Sequence, residues 1–185
     1  MFYGIVFKTM DGEAHRIDGK WDLIIAHPPC TDLAVSGARH FENKRNNGNQ
    51  EESIKFFLNF LNANCEHIAV ENPIGIMSGG AYLEKYFPAY SKFVRKPEQI
   101  IQPYMFGDPH KKTTCLWLKG LPLLVPTDVV EPTLIQYKCK NGKTVTFDEF
   151  MVRDFDGNRG KARSKTFPGI AKAMGEQWSK YLEIH

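Results

Sequence analysis

Residues Trp21–Gly37 read WDLIIAHPPCTDLAVSG, and the reading of this stretch decides the fold. Leu23–Ala26 is a short continuous apolar run, the pattern of a strand buried on both faces of a parallel sheet. Pro28 and Pro29 end it, because neither can donate a backbone hydrogen bond to a ladder. Cys30 follows at once, so a rigid turn presents a thiol at the carboxyl end of a strand, where open α/β sheets place their chemistry. A lone loop cysteine more often merely packs. Here the strand, the two prolines and the partners met downstream favour a nucleophile.

Moving outward, Asn49 predicts the N-cap of a helix over Gln50–Leu61, with Ile54, Phe57, Leu58 and Leu61 as one apolar stripe at i, i+3, i+4 and i+7. Cys65–Val70 (CEHIAV) reads as a second buried strand that ends at Glu71-Asn72-Pro73. Strand, helix and strand make a right-handed crossover, which sets two strand ends side by side about 5 Å apart. Upstream, Tyr3–Phe7 and Ala14–Ile17 flank Asp11-Gly12, a hairpin signal. The polar stretch His40–Gln50 reads as a surface loop or helix end. Downstream, Ile74–Pro97 carries Gly79-Gly80 and reads as short helices and loops, while Gln99–Gln102 and Thr114–Leu118 read as further strands. Gly120–Pro132 is a proline-rich loop. Leu134–Cys139 and Lys143–Phe147 flank Asn141-Gly142, the strongest hairpin signal in the chain. A last helix spans Pro168–Leu182, with Ile170, Met174, Trp178 and Tyr181 on one face. The expected fold is one α/β domain over residues 1–185, with a mostly parallel sheet and flanking helices. It divides into an N-terminal hairpin (1–20), a core (21–120), a hairpin with a basic segment (133–165) and a C-terminal helix (166–185).

The 185 residues, 42% hydrophobic and 24% charged, suit one globular domain. No apolar run reaches the ~18–20 residues that span a bilayer, and the start MFYGIVFKTMDGE has no signal-peptide pattern, so no membrane partner and a cytoplasmic setting are expected. Cys30, Cys65, Cys115 and Cys139 form no C-x-x-C pair, which argues for free thiols and against a zinc site; no metal is expected. The net charge of +3 permits nucleic-acid binding without establishing it.

Cys30 closes one crossover strand and Glu71 the next, while Lys111-Lys112-Thr113 precedes a third strand. A thiol nucleophile, a carboxyl acid and a cationic clamp suit addition to an electron-poor heterocycle, with the acid holding the ring nitrogen that takes up charge. Cys65 and Cys115 lie in apolar strands and read as inert core thiols, Cys139 as incidental, and Trp117 and Trp178 as core. His27 either lines the pocket or satisfies the loop backbone.

Pro28-Pro29-Cys30, Glu71-Asn72-Pro73 and Phe106-Gly107 followed by Lys111-Lys112-Thr113 resemble the ordered motifs of the DNA cytosine-5 methyltransferases. DLIIAHPPCT, IAVENPIGIMS, QIIQPYMFG, KKTTCLWLKGLP and KTFPGIAKAMGEQW look like the branch common in phages and prophages, so the resemblance covers nearly the whole chain from Trp21. It implies a truncated Rossmann-like core with DNA as partner. Cys30 would attack carbon 6 of a flipped cytosine. Glu71 would hold ring nitrogen 3 with Asn72 bracing the loop, and carbon 5 would take a methyl group from S-adenosylmethionine. Pro29, Pro73, Lys111, Lys112, Thr113, Ser36 and Arg39 would join Asn72 around the base and nearby phosphates, while Pro28 and Asp32 would touch the methionine end of the cofactor.

One departure stands out. The family opens with a strand and a glycine-rich turn that admits the cofactor, whereas about twenty residues precede the Pro-Pro-Cys strand here and read as a hairpin. The cofactor half is therefore expected from a second subunit. In the C-terminal third, Lys138, Lys140, Lys143 and the stretch Arg153–Lys165 supply a basic surface that suits phosphate contacts. Three readings stay open at this point: a minimal or split methyltransferase, a shortened homologue that only binds nucleic acid or protein, and cytosine chemistry without S-adenosylmethionine.

Overall fold

The computed structural model describes residues 5–8, 13–17, 19–139, 141–152 and 166–184. The expected Asp11-Gly12 turn, Lys140 and the basic stretch Arg153–Lys165 lie outside them. The chain divides into two units, one of residues 1–99 and 115–121, the other of residues 100–114 and 122–185.

In the first unit, β1 (Ile5–Lys8) pairs antiparallel with β2 (Ala14–Ile17), the expected hairpin. Next come β3 (Leu23–Ala26), a 3-10 turn (Val35–His40), α1 (Phe41–Asn46), α2 (Asn49–Leu61) and β4 (His67–Pro73). Then follow α3 (Ile76–Gly79), α4 (Ala81–Tyr86) and α5 (Pro88–Ser91); β5 (Gln99–Ile101) runs from this unit into the second, and β6 (Thr114–Lys119) returns to it. Four strands form a sheet in the order β3-β4-β6-β5. β3 and β4 are parallel and in register from Leu23 opposite His67 to Ala26 opposite Val70, as the strand–helix–strand pattern required.

The stripe on α2 does what its spacing predicts. Ile54, Phe57, Leu58 and Leu61 are buried, and Phe57 meets Trp117 of β6 edge-on with ring centroids 5.0 Å apart. Each such apolar side chain contributes about 1.5–3 kcal/mol on burial. Cys65, Ile68, Val70, Cys115, Met77 and Leu83 complete this core, so Cys65 and Cys115 are indeed core thiols.

Several boundaries moved for identifiable reasons. Gly48, at φ 80°, takes the N-cap position of α2 because the turn needs a left-handed residue; Asn49 is the first helical residue and donates its N–H to Asn47 Oδ1 at 3.1 Å. Part of the polar stretch His40–Gln50 is helical, since Phe41 inserts into the core. β3 is not buried on both faces: it is an outer strand of the four, and Ile25 is 37% exposed. β4 does not stop at Val70. Lying between two strands, it continues through Glu71 and Asn72 to Pro73, past the point where Pro28 halts β3.

In the second unit, a 3-10 turn (Pro103–Met105) is followed by β7 (Leu134–Lys138), β8 (Thr144–Asp148), α6 (Glu149–Val152) and α7 (Pro168–Ile184). β7 and β8 form the expected antiparallel hairpin, with Ile135 opposite Phe147 and Tyr137 opposite Val145. Buried Asp148 ties its base: one carboxylate oxygen accepts the Lys111 N–H at 2.7 Å, the other the Phe150 N–H at 2.9 Å. On α7, Ile170, Met174 and Trp178 are buried and Tyr181 half-buried, with Trp178 Nε1 donating to Pro122 O at 3.0 Å. Among the described residues no helix is long and apolar enough to cross a membrane, and no group of three or more His, Cys, Asp or Glu side chains could hold a metal ion.

Candidate active site

The site is built where β3 ends beside the last residues of β4. The last register pair of these strands is Ala26 with Val70, so the next residues, His27 and Glu71, stand beside each other, and Pro28 beside Asn72. His27 Nδ1 lies 3.0 Å from Glu71 Oε2. The Glu71 side chain is 12% exposed and that of His27 37%, so the carboxyl sits deeper than the ring that holds it. Buried Asn72 donates from Nδ2 to Pro28 O at 2.7 Å. That bond satisfies the carbonyl on which the nucleophile turn begins. The expected bracing role of Asn72 therefore has a concrete partner.

Cys30 is half-buried, and its carbonyl accepts the N–H groups of Leu33 at 3.1 Å and Ala34 at 2.9 Å, closing a tight turn directly after the thiol. Leu33 is fully buried and plugs this turn into the core. The chain then runs back against the segment after β4. Val35 N–H donates to Ile74 O at 3.1 Å, Ile76 N–H donates to Leu33 O at 2.9 Å, and Ala34 bridges Gly75. Gly75 has an extended backbone, so its glycine is required by space rather than by φ: a Cβ there would lie 2.2 Å from Leu33 O. Ser78 Oγ completes the turn, accepting from Gly75 N at 3.1 Å and donating to Gly75 O at 2.9 Å. The Cys30 loop and the Glu71 strand end are thus one backbone-stitched body, with about 0.5–1.5 kcal/mol net from each bond.

Behind this body, Asp32 anchors both helices. Its carboxylate accepts from Ser53 Oγ at 3.0 Å and meets Lys44 Nζ at 3.2 Å, its carbonyl accepts from Gln50 Nε2 at 2.9 Å, and Lys44 also donates to Thr31 O. Pro29, Ser36 and Arg39 are exposed and Pro73 half-buried; Arg39 Nε donates to His40 Nε2 at 2.9 Å. On the neighbouring strand β6, burial pushes the Cys115 thiol up to about 11, and the nearby Glu71 carboxylate adds to the rise.

Lys111, Lys112 and Thr113 belong to the second unit. The Lys111 backbone is held by Asp148, the Lys112 ammonium lies 5.7 Å from the Phe167 ring centre, and Thr113 Oγ1 accepts from Gln102 Nε2 at 2.8 Å. His110 packs against both Phe150 and Phe167, with ring centres 5.2 and 5.6 Å away, and its Nδ1 lies 3.4 Å from Asp148 Oδ1, while those two phenylalanine rings meet each other at 4.9 Å.

Sequence reading missed Gly75, whose only signal was a glycine two residues past Pro73. It also left the role of His27 open, although the parallel register places it beside Glu71. Comparisons of the chain with protein-family models, with curated proteins and with solved structures found no match.

Proposed function

We propose that the chain carries the pyrimidine-activating half of a DNA cytosine-5 methyltransferase, a truncated Rossmann-like core in which Cys30 adds to carbon 6 of a cytosine. The observation that supports this best is the stitching of the Cys30 turn to the Glu71 strand end through Asn72, Leu33, Val35 and Ile76. A mere packing cysteine has no need of a preorganised carboxyl on the adjacent strand. In the proposed step the Cys30 thiolate forms a bond to carbon 6, and the ring electrons move toward nitrogen 3. That nitrogen takes a hydrogen bond or proton from Glu71, leaving carbon 5 nucleophilic. Carbon 5 then takes a proton from solvent. Loss of its original hydrogen with expulsion of the thiolate restores the ring, and Glu71 recovers its share of the nitrogen-3 proton, so the net change is exchange of the carbon-5 hydrogen. DNA is the proposed partner, with Ser36 and Arg39 proposed for phosphate contacts in the first unit and, separately, Lys111 and Lys112 in the second. A reducing cytoplasmic setting suits four thiols that form no disulfide.

S-adenosylmethionine does not fit the residues proposed for it in this chain. The Asp32 carboxylate already holds Ser53 and Lys44, and the Pro28 carbonyl already accepts from Asn72, so both groups serve the turn first and a methyl donor would have to share them. The chain's own residues therefore support addition to the ring and its reversal rather than methyl transfer, and a second subunit is the proposed source of the cofactor half. The same observation favours a second reading, a homologue that binds nucleic acid without methylating it.

The test is exchange at carbon 5. Addition at carbon 6, protonation of carbon 5 from solvent and removal of the original hydrogen before the thiolate leaves need no methyl donor, so duplex oligonucleotides carrying carbon-5-deuterated cytosine lose deuterium if Cys30 adds. Loss that vanishes in Cys30→Ala supports the enzyme; no loss with the wild-type chain, alongside DNA binding that Cys30→Ala leaves intact, supports the binding module.

A further inference from the structure

Resting on the proposed pyrimidine addition, we infer that His27 is a positioning residue that fixes which oxygen of Glu71 is offered to the base. Parallel pairing ends at Ala26 opposite Val70, and the next residues, His27 as the first residue after β3 and Glu71 still within β4, stand side by side, so the sheet sets where the loop residue starts. The ring nitrogen Nδ1 is 3.0 Å from Oε2, a direct hydrogen bond. With the proton on Nδ1, His27 donates to Oε2 and leaves Oε1 as the oxygen that faces a substrate.

This matters because a glutamate side chain has three rotatable bonds, and freezing them at each turnover costs about 1–2 kcal/mol. The strand end supplies that order in advance. Burial is graded in the same sense: the Glu71 side chain is 12% exposed and that of His27 37%, so the acid lies deeper than the ring bonded to it. Asn72, the next residue on β4, turns its amide to the Pro28 carbonyl, so it braces the turn and leaves the Glu71 carboxyl to His27. The third titratable neighbour, Cys115 on β6, is fully buried and keeps its proton at neutral pH, so it does not compete as a cation or donor to rotate the acid. Sequence separation hides the pair, since its members are 44 positions apart.

The experiment measures carbon-5 deuterium loss from cytosine oligonucleotides and their dissociation constants, for wild type, His27→Phe, His27→Asn, Glu71→Gln and His27→Phe/Glu71→Gln. The asparagine amide places an N–H near the position of Nδ1. His27→Phe is expected to slow exchange about 10- to 100-fold at unchanged DNA affinity, the effect of misplacing a reacting group by roughly an ångström. His27→Asn is expected to recover to within about threefold of wild type. In the Glu71→Gln background the phenylalanine change is expected to add nothing, because His27 acts through Glu71. Should His27→Phe fail to fold, His27→Gln, whose amide reaches toward the Nε2 position, takes its place with the same expected loss. Wild-type exchange together with an unchanged rate in His27→Phe, or additive effects in the double variant, overturns this inference alone. No Cys30-dependent exchange by the wild type overturns the proposed function and this inference with it.

Discussion

Replacing Gly75 by alanine tests the stitching at its tightest point. The added Cβ would stand 2.2 Å from the Leu33 carbonyl oxygen and 2.9 Å from its carbon, both backbone atoms that no side-chain rotation can clear. The two segments must separate. Separation strains or breaks the Val35–Ile74 and Ile76–Leu33 bonds, about 0.5–1.5 kcal/mol each. Overpacking adds about 1–3 kcal/mol, so the expected loss is about 2–6 kcal/mol. Gly79→Ala is the internal control, since nothing lies within 4 Å of a Cβ built there, and its expected change is within about 0.5 kcal/mol. Urea denaturation gives the global number, and hydrogen exchange at the Val35 and Ile76 amides reports the loop locally. A Gly75→Ala protein as stable as Gly79→Ala, with both amides still protected, would refute the reasoning that these two segments are one body.

Other expectations are smaller in scope. Asn72→Ala leaves the buried Pro28 carbonyl without its donor, and urea denaturation should show a loss of about 1–3 kcal/mol; a change below about 0.5 kcal/mol would mean the bond is not made. Thiol labelling with iodoacetamide in native buffer should modify Cys30 and Cys139, which are half-buried, while Cys65 and Cys115 react only after denaturation; mass spectrometry of the labelled peptides decides this. The Cys115 thiol also links stability to alkali. The unfolded thiol loses its proton from about 9 and the native one only near about 11. The unfolded state therefore binds fewer protons in this window, and stability falls as pH rises through it, by about 3 kcal/mol at most. Cys115→Ala should flatten that slope, read from denaturation curves at successive pH values.

The parts of the fold that the sequence disclosed are those governed by local rules. The stripe Ile54, Phe57, Leu58 and Leu61 specified α2 by its period, and Asn141-Gly142 specified the β7–β8 hairpin by turn chemistry. Trp117 and Trp178 sit in apolar patterns and are buried. What escaped depends on approach in space. Nothing local announces that Phe41 leaves a polar stretch to enter the core, or that Ile25 in an apolar run stays exposed on an outer strand. At the site, motif order pointed to Cys30, Glu71 and Asn72, and the strand register brings their strand ends together. The need for glycine at residue 75, the capture of Asp32 by Ser53 and Lys44, and the bond from His27 to Glu71 join residues far apart in sequence. No periodicity could reveal them.

The central claim is that Cys30 adds to cytosine with Glu71 as its acid. Its most direct measurement is covalent capture of the chain on duplex DNA carrying 5-fluorocytosine, in the presence of S-adenosylmethionine and an extract able to supply a cofactor-binding subunit. A denaturation-resistant adduct that maps to Cys30, disappears in Cys30→Ala and weakens at least about tenfold in Glu71→Gln is the predicted result. An adduct that survives Cys30→Ala, or no adduct in a mixture that does methylate unfluorinated cytosine in the same DNA, contradicts it.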